Sequence, residues 1–370
     1  MTSGSHVLTF CAKVCKNGAE VRRPKRKRTV TINDVAEAAG TSISTVSRAF
    51  HLPDMVRADT RARALEAAAE LGYTPNRAAR GLITGLTANV GLVVPDVANP
   101  FFPALIKGAQ ARARARDHSL FLADTDEDPH VEEQVIRAMA KQVDGVIAVS
   151  SRMSDHVLHA MADITSLVLV NRRAGDVPAV LLDMNGGMRQ AIEHLHALGH
   201  SHCVYLAGPR ASWSNRQRRT ALRATAKRLG MGTTELGPFD PSYEAGIQAA
   251  DLAIAEEPTA IVAFNDLMAL GVMSRLGDRG VAVPEQVSVV GFDDIQIAGM
   301  AFPPLTTVAV PAVAAGRAAV DLLLDGIGDH SGDAPRARAL KTELLVRAST
   351  GPPPDGTGRT FTSGARRVAA

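Results

Sequence analysis

Residues 31–50 decide the fold of the N-terminal region and read TINDVAEAAGTSISTVSRAF. The first four of these residues fit a capping box, in which Thr and Asp side chains satisfy backbone N–H groups at the start of a helix. The sequence therefore predicts a first helix over residues 32–39, which Gly40 ends because glycine adopts a positive φ without steric cost. A second helix is predicted over residues 42–50. So short a glycine-containing turn between two helices is typical of a helix-turn-helix.

The second predicted helix has one apolar stripe and one polar face. Val46, Ala49 and Phe50 follow the i, i+3, i+4 spacing of a buried stripe. The side chains that then point outward are Ile43, Ser44, Ser47 and Arg48. Short hydroxyl side chains allow close approach to a major groove, and an arginine can donate two hydrogen bonds to guanine. The same pattern also fits an ordinary three-helix bundle with a polar surface, so geometry alone leaves both readings open.

Charge is distributed unevenly along the chain. The formal net charge is +3, but residues 1–87 carry about +7 and the remainder about −4. A basic N-terminal region, here called the head, followed by a mildly acidic remainder, here called the body, indicates a polyanionic partner. The run RRPKRKR at residues 22–28 is equally consistent with a solvated tail. Residues 1–28 and 351–370 are predicted to be disordered. The first of these segments is either a native tail or translated sequence upstream of the native start.

The rest of the chain alternates short apolar runs with helical patterns. Continuous Val, Ile and Leu runs separated by helices predict parallel strands buried on both faces, and about nine strands exceed one doubly wound sheet. Two α/β lobes are therefore expected. The predicted strands span residues 90–94, 120–123, 145–149, 167–170, 179–182, 203–207, 260–264, 287–291 and 306–310.

Polar and aromatic residues stand directly after several of these strands. Parallel α/β sheets bind ligands at the carboxyl ends of their strands, so these side chains are expected to converge on a cleft. Carboxylates, an amide, an arginine and an aromatic ring suit a polyhydroxylated ligand. The candidates chosen on this ground are Asp96, Asn99, Phe101, Asp124, Ser150, Arg172, Asn265 and Asp293.

The head resembles that of the lactose/galactose repressor family from Val30 to Leu82, through DVA-x-x-AG, TVSR and LGY-x-PN. The resemblance implies that the second helix enters a major groove with Ile43, Ser44 and Arg48 contacting bases. It also implies a hinge helix over residues 77–82 that enters the minor groove. There Leu82 inserts between base pairs and Ala79 lies against the groove floor. The positions that match phosphate contacts are Thr31, Ser42, Thr45, Ser47 and Asn76.

The body resembles the same family and, through it, the periplasmic sugar-binding proteins, over residues 89–350. The supporting strings include NPFF, VDGVI, LAGP, AFNDLMALG and VSVVGFDD. The resemblance places Arg218 on a ligand-binding arginine, Asp293 on a carboxylate that binds ligand hydroxyls, and Ser212 and Ser214 on neighbouring contact positions. Phe239 matches a stacking ring, although its spacing to the following motif departs from the family.

The predicted architecture is therefore an α head followed by an α/β body. A three-helix helix-turn-helix domain is expected at residues 29–75, a hinge helix and linker at 76–87, and an effector-binding and dimerisation domain at 88–350. That domain is expected to form two doubly wound lobes of periplasmic-binding-protein type. Lobe one is assigned to residues 88–182 and 312–340, and lobe two to 183–311 and 341–350.

The resemblance implies a cytoplasmic homodimer that binds a pseudo-palindromic DNA operator. Its simplest action is repression, because a dimer clamped on a kinked operator obstructs polymerase. A small-molecule effector, by default a sugar or sugar derivative, is expected to change the operator affinity. The sequence does not distinguish an inducer from a corepressor.

Two other classes of protein compete with this interpretation. An enzyme on the same fold is disfavoured because the chain lacks a G-x-G-x-x-G turn, a P-loop and a G-x-S-x-G elbow. An exported binding protein has no use for the helix-turn-helix. No cofactor and no metal are expected, and the three cysteines lack metal-ligand spacing and are interpreted as free thiols. No run reaches the length of a membrane span.

Overall fold

The computed structural model describes residues 30–51, 53–73, 86–328 and 336–354. The chain divides into two compact units, Met1–Ala79 and Arg80–Ala370. The predicted hinge helix and both predicted disordered tails fall mostly or wholly outside the described residues.

The small unit is a helical bundle closed by alanine-rich contacts. Its helices are α1 (Ile32–Ala38), α2 (Ile43–His51) and α3 (Ala58–Leu71). Val35 and Val46 are fully buried at its centre, where they pack with alanines of all three helices. Small side chains let the helices approach closely, as a helix-turn-helix requires.

The ends of these helices follow from local sequence. At the start of α1 the Asp34 carboxylate accepts hydrogen bonds of 2.8 Å from both the backbone N–H and the hydroxyl of Thr31. Gly40 follows α1 with φ at +61°. Ser42 begins α2 by accepting a 3.1 Å hydrogen bond from the backbone N–H of Thr45. Gly72 ends α3 with φ at +66°.

The large unit contains two six-stranded sheets within the described residues. The first sheet has the strand order β11-β5-β4-β3-β1-β2 and all of its pairings are parallel. Its strands are β1 (Asn89–Val94), β2 (Ser119–Asp124), β3 (Gly145–Val149), β4 (Ser166–Val170), β5 (Ala179–Leu182) and β11 (Ala337–Leu340).

The second sheet has the order β12-β10-β9-β8-β6-β7. Its pairings are parallel except that β12 runs antiparallel to β10 at one edge. Its strands are β6 (His202–Leu206), β7 (Gly232–Leu236), β8 (Ala260–Ala263), β9 (Ser288–Asp293), β10 (Thr306–Ala309) and β12 (Glu343–Leu345).

Helices connect the strands of the large unit. They are α4 (Phe101–Ala115), α5 (Pro129–Met139), α6 (Asp155–Ala162), α7 (Met184–Ala197), α8 (Trp213–Leu229), α9 (Tyr243–Ala255), α10 (Asp266–Asp278), α11 (Gln296–Met300) and α12 (Ala312–Gly328). Helix α12 follows the second sheet in sequence but packs on the first, against α4 and strands β3, β4 and β5. The chain therefore passes repeatedly between the two sheets.

Close contact between α4 and α12 depends on two glycines. A Cβ atom at Gly108 would lie 2.2 Å from the carbonyl oxygen of Val313, and one at Gly316 would lie 2.2 Å from that of Leu105. Both distances are too short for any side chain, so these helices pack backbone to backbone. Such packing suits a chain in which aromatic residues make up 4%.

All nine predicted strands are present, and the described residues contain three more that were missed. The missed strands β7, β11 and β12 are edge strands with partly exposed residues, and none has a continuous apolar run. Strand β2 was predicted as buried on both faces, but it also lies at an edge and leaves Phe121 and Leu122 exposed. Within the described part of the chain, no helix is both long and apolar enough to cross a membrane.

The strand orders predict where a ligand binds. In the first sheet β1 lies between β2 and β3, and in the second β6 lies between β7 and β8. The direction of winding reverses at these strands, and ligands of open α/β sheets bind beyond the carboxyl ends of strands at such points.

Candidate functional site

Helix α2 presents the outward face that its periodicity predicts. Val46 and Ala49 are buried, whereas Ile43, Ser44 and Arg48 are exposed, and Ile43 is 50% accessible to solvent. An exposed isoleucine beside a serine and an arginine offers apolar, hydroxyl and guanidinium contacts on one face. These are the kinds of group that read base edges in a major groove.

A small hydroxyl network shapes the start of α2. The Ser42 hydroxyl lies 2.8 Å from the hydroxyls of both Ser44 and Thr45. It thereby combines its capping role with holding two neighbouring hydroxyls in place. Ser47 is partly exposed, and Thr31 is exposed beside Asp34 at the start of α1. Asn76, Ala79 and Leu82 lie outside the described residues.

A cleft in the large unit lies between the two sheets, at the carboxyl ends of their strands. Seven of the twelve residues predicted to bind an effector line it, namely Asn99, Phe101, Ser150, Ser214, Arg218, Asn265 and Asp293. Seven further lining residues were not predicted, namely Phe102, Glu127, Arg152, Asn171, Met184, Pro241 and Phe264. The cavity between these side chains measures about 30 Å³.

Arg218 is the central side chain of the cleft on the side of the second sheet. Its guanidinium carbon lies 3.6 Å from the centroid of the Phe292 ring and 4.7 Å from that of Phe264. Nη2 lies 3.4 Å from Asp293 Oδ1, and Nη1 donates to the carbonyl oxygen of Phe264. Burial lowers the pKa of Arg218, and the Asp293 carboxylate opposes that shift. Nε is buried and has no partner among the described residues.

Asp293 ends β9 in a strained conformation. Its backbone φ angle is +117°, in a region that residues other than glycine rarely adopt. Burial raises the pKa of Asp293 to about 8, and the Arg218 guanidinium opposes the increase. Strain at a buried carboxyl group that faces a cleft is typical of a binding site.

Asp266 holds the Asp293 loop in position. Its carboxylate accepts a 2.9 Å hydrogen bond from the backbone N–H of Ile295 and a 2.5 Å hydrogen bond from the Thr307 hydroxyl. Burial raises the pKa of Asp266 to about 6. The N-cap of α10 is the adjacent Asn265, whose Oδ1 accepts the backbone N–H of Met268 at 2.9 Å. Asn265 thus caps a helix and lines the cleft.

The first sheet contributes two features that sequence reasoning missed. Asn171 follows β4, donates from Nδ2 to the Ser150 hydroxyl at 3.2 Å, and leaves its buried Oδ1 without a partner among the described residues. Arg152 donates to both carboxylate oxygens of Glu127. The available signal was position, since Asn171 is the first residue after β4 and Arg152 follows β3 by three residues.

The other five predicted effector contacts do not line the cleft. Asp96 and Asp124 accept backbone N–H groups of Ala98 and Val97, which places their carboxylates in a turn. Ser212 is fully buried as the N-cap of α8. Phe239 packs against the core, and Pro241 lines the cleft nearby.

Arg172 is the fifth of these residues and is not among those that line the cleft. It donates to Asp155 at 2.5 Å and to the carbonyl oxygens of Met153 and Arg173. It therefore fixes a loop of the first lobe, and Asn171, the residue before it, takes the position in the cleft.

Comparison with known proteins agrees with this arrangement. Residues 31–76 match the family model described as bacterial regulatory proteins, lacI family, and residues 192–350 match that of the periplasmic binding protein-like domain. The HTH-type transcriptional repressor CytR of Escherichia coli (strain K12) is 32% identical over 339 residues, which cover 89% of this chain and 99% of that protein.

Solved structures are similar over the same span. The lac repressor dimer bound to operator and the anti-inducer ONPF superposes with a TM-score of 0.78 at 28% identity, covering 88% of this chain and 100% of that one. A complex of the transcriptional regulator CelR with cellobiose gives a TM-score of 0.65 at 30% identity, covering 86% and 99%. These relatives are transcription regulators and not enzymes, as the sequence predicted.

Proposed function

This chain belongs to the LacI family of bacterial regulatory proteins, and from that membership we propose that it represses transcription by binding operator DNA under the control of a small molecule. The effector binds in the cleft between the two sheets. A sugar or sugar derivative is the first candidate, because related structures were solved with cellobiose and with ribose.

The effector proposal rests on one observation. Two buried polar atoms, the Nε of Arg218 and the Oδ1 of Asn171, lack partners among the described residues and belong to side chains that line the same cleft. An unsatisfied buried polar group costs about 1–3 kcal/mol. One atom is a donor and the other an acceptor, and a hydroxylated ligand supplies both complements.

The size of the cavity indicates how the ligand acts. A space of about 30 Å³ holds only one or two water molecules, so side chains or lobes must move to admit a sugar. A ligand that separates or shears the lobes shifts the equilibrium between two arrangements of the protein. A coupling of about 1–3 kcal/mol changes operator affinity roughly 5–150-fold.

The exposed face of α2 supports the DNA-binding half of the proposal. Ile43, Ser44 and Arg48 contact base edges, and the phosphate contacts come from Thr31, Ser42, Thr45 and Ser47. Asn76 is a further phosphate contact in this proposal, which also retains a hinge in which Ala79 and Leu82 contact the minor groove. A protein that acts on chromosomal DNA in this way is cytoplasmic.

Exposed apolar side chains support a homodimer. Phe121 and Leu122 lie on the edge strand β2 of the first sheet, and Met300 and Phe302 lie at and just beyond α11 near the second. Phe302 is 98% exposed. Large apolar side chains clustered at the surface mark interaction sites. We propose that a second copy of the chain covers both patches. The resulting dimer carries two α2 helices, one for each half of a pseudo-palindromic operator.

The test uses the full chain. Selection from random double-stranded DNA, followed by fluorescence anisotropy on the enriched site, is expected to show sequence-preferring binding by a dimer. A panel of sugars and nucleosides is then added, and at least one compound is expected to change that affinity. Equal affinity for the enriched site and for scrambled DNA in every ligand state contradicts the proposal.

A further inference from the structure

We infer that the effector is uncharged or bears only donor groups where it meets the first lobe, because Glu127 already occupies the guanidinium of Arg152. This inference rests on the proposed effector cleft and specifies the chemical class that it admits. It concerns a pair of side chains that sequence reasoning did not select.

Each nitrogen of the Arg152 guanidinium already has an acceptor. Arg152 donates from Nε and Nη2 to the two carboxylate oxygens of Glu127, the second at 2.9 Å, and from Nη1 to the carbonyl oxygen of Ser150 at 2.8 Å. A bidentate arginine–carboxylate contact uses the same fork that recognises phosphate or carboxylate groups of ligands. The guanidinium nitrogens that could bind an anionic group of a ligand are therefore already occupied by Glu127.

The backbone of Arg152 is also held in place, and most of its side chain is buried. Its backbone N–H donates to the buried Glu132 carboxylate at 3.0 Å, and only 6% of its side chain is exposed. The Glu127 side chain is 26% exposed. On this side of the cleft the group accessible to a ligand is thus the Glu127 carboxylate, which accepts hydrogen bonds from hydroxyl or amino groups.

The ionisable side chains that line the cleft are paired. Within the described residues they are Glu127, Arg152, Arg218 and Asp293, and each arginine contacts one of the carboxylates. Arg218 directs its Nη atoms to Phe264, Met184 and Asp293, so its Nε is the donor that remains. A single N–H donor of this kind can satisfy one neutral hydroxyl oxygen of a ligand. A phosphate group needs several hydrogen-bond donors.

The experiment removes the carboxylate that occupies the fork. In Glu127→Gln, Arg152 loses its anionic partner and becomes a receptor for anions. The matched control is Glu133→Gln, the same chemical change on the surface of the first lobe, where Glu133 pairs with the half-exposed Arg137. Calorimetric titrations of the full chain with inorganic phosphate, and with ribose against ribose 5-phosphate, measure the effect.

Wild type and Glu133→Gln are expected to show no saturable phosphate binding, and Glu127→Gln is expected to bind phosphate and to gain about tenfold or more in affinity for ribose 5-phosphate. Circular dichroism checks folding, and Glu127→Ala replaces the glutamine variant if that variant is unfolded. Tight binding of ribose 5-phosphate or phosphate to wild type overturns the inference, and so does an equal response of the Glu127 and Glu133 variants. Because these titrations contain no DNA, they are read independently of whether the protein represses transcription.

Discussion

The guanidinium carbon of Arg218 lies 3.6 Å from the centroid of the Phe292 ring, and Asp293, the next residue of β9, approaches the same guanidinium at 3.4 Å. One strand end thus supplies an aromatic face and a carboxylate to a single cation. A desolvated cation–π contact contributes about 2 kcal/mol. This arrangement fixes the plane of the guanidinium and therefore the direction in which its unpartnered Nε points.

Arg218→Lys is expected to abolish the response to effector while operator affinity without effector stays within about twofold. Lysine keeps the charge but loses the planar stack and the fixed Nε donor. Fluorescence anisotropy on operator DNA with increasing effector measures both quantities. Arg219→Lys is the matched control, because Arg219 pairs with Glu235 away from the cleft. A fully responsive Arg218→Lys protein contradicts the assignment of this residue to the ligand.

Arg48→Ala is expected to weaken operator binding by roughly 1–3 kcal/mol and to relax the preference at one base pair. The exposed guanidinium on α2 contributes directional donors that alanine lacks. Binding to a set of operators with single base changes measures the preference. If affinity falls equally for every sequence, Arg48 contacts phosphate and not a base.

Gly108→Ala is expected to destabilise the large unit by about 1–3 kcal/mol, because its Cβ would meet the Val313 carbonyl oxygen at 2.2 Å. The matched control is Gly277→Ala, where no atom lies within 4 Å of the new Cβ in α10. That control is expected to leave stability unchanged or raise it by up to about 1 kcal/mol. Urea denaturation compares the two variants, and equal stabilities would show that α4 and α12 can separate without cost.

Asp266→Asn is expected to change how stability depends on pH. Burial raises the pKa of Asp266 to about 6, against about 3.9 in an unfolded chain. Between these values the folded protein keeps a proton that the unfolded chain has lost. The group therefore lowers the free energy of unfolding as pH rises from 4 to 6, and by a constant amount above that range.

The difference in unfolding free energy, wild type minus Asp266→Asn, should accordingly fall between pH 4 and pH 7 by at most about 3 kcal/mol. Subtracting the variant removes the contributions of titrating groups that do not interact with Asp266. Urea denaturation at a series of pH values provides the measurement. A difference that is constant or rises with pH would place the folded pKa of Asp266 at or below its unfolded value.

Local sequence patterns were sufficient to predict the helices of the small unit and the buried face of α2. The spacing of Val46 and Ala49 within one helix specified which face of α2 is buried, and Gly40 specified where α1 ends. Both features act within one or two turns of chain, so they can be read without knowing what packs against them. The order of strands and helices in the large unit followed in the same way from continuous apolar runs.

The sequence by itself therefore determined the two kinds of domain, the exposed face of α2 and the strand ends at which the cleft lies. Only the tertiary structure decided which side chains at those strand ends enter the cleft. Asn171 has a φ of +54°, so the chain leaves the extended geometry of β4 at this residue, and Asn171 faces the cleft while Arg172 holds a loop. The pairing of Glu127 with Arg152 joins two loops that only the folded sheet brings together.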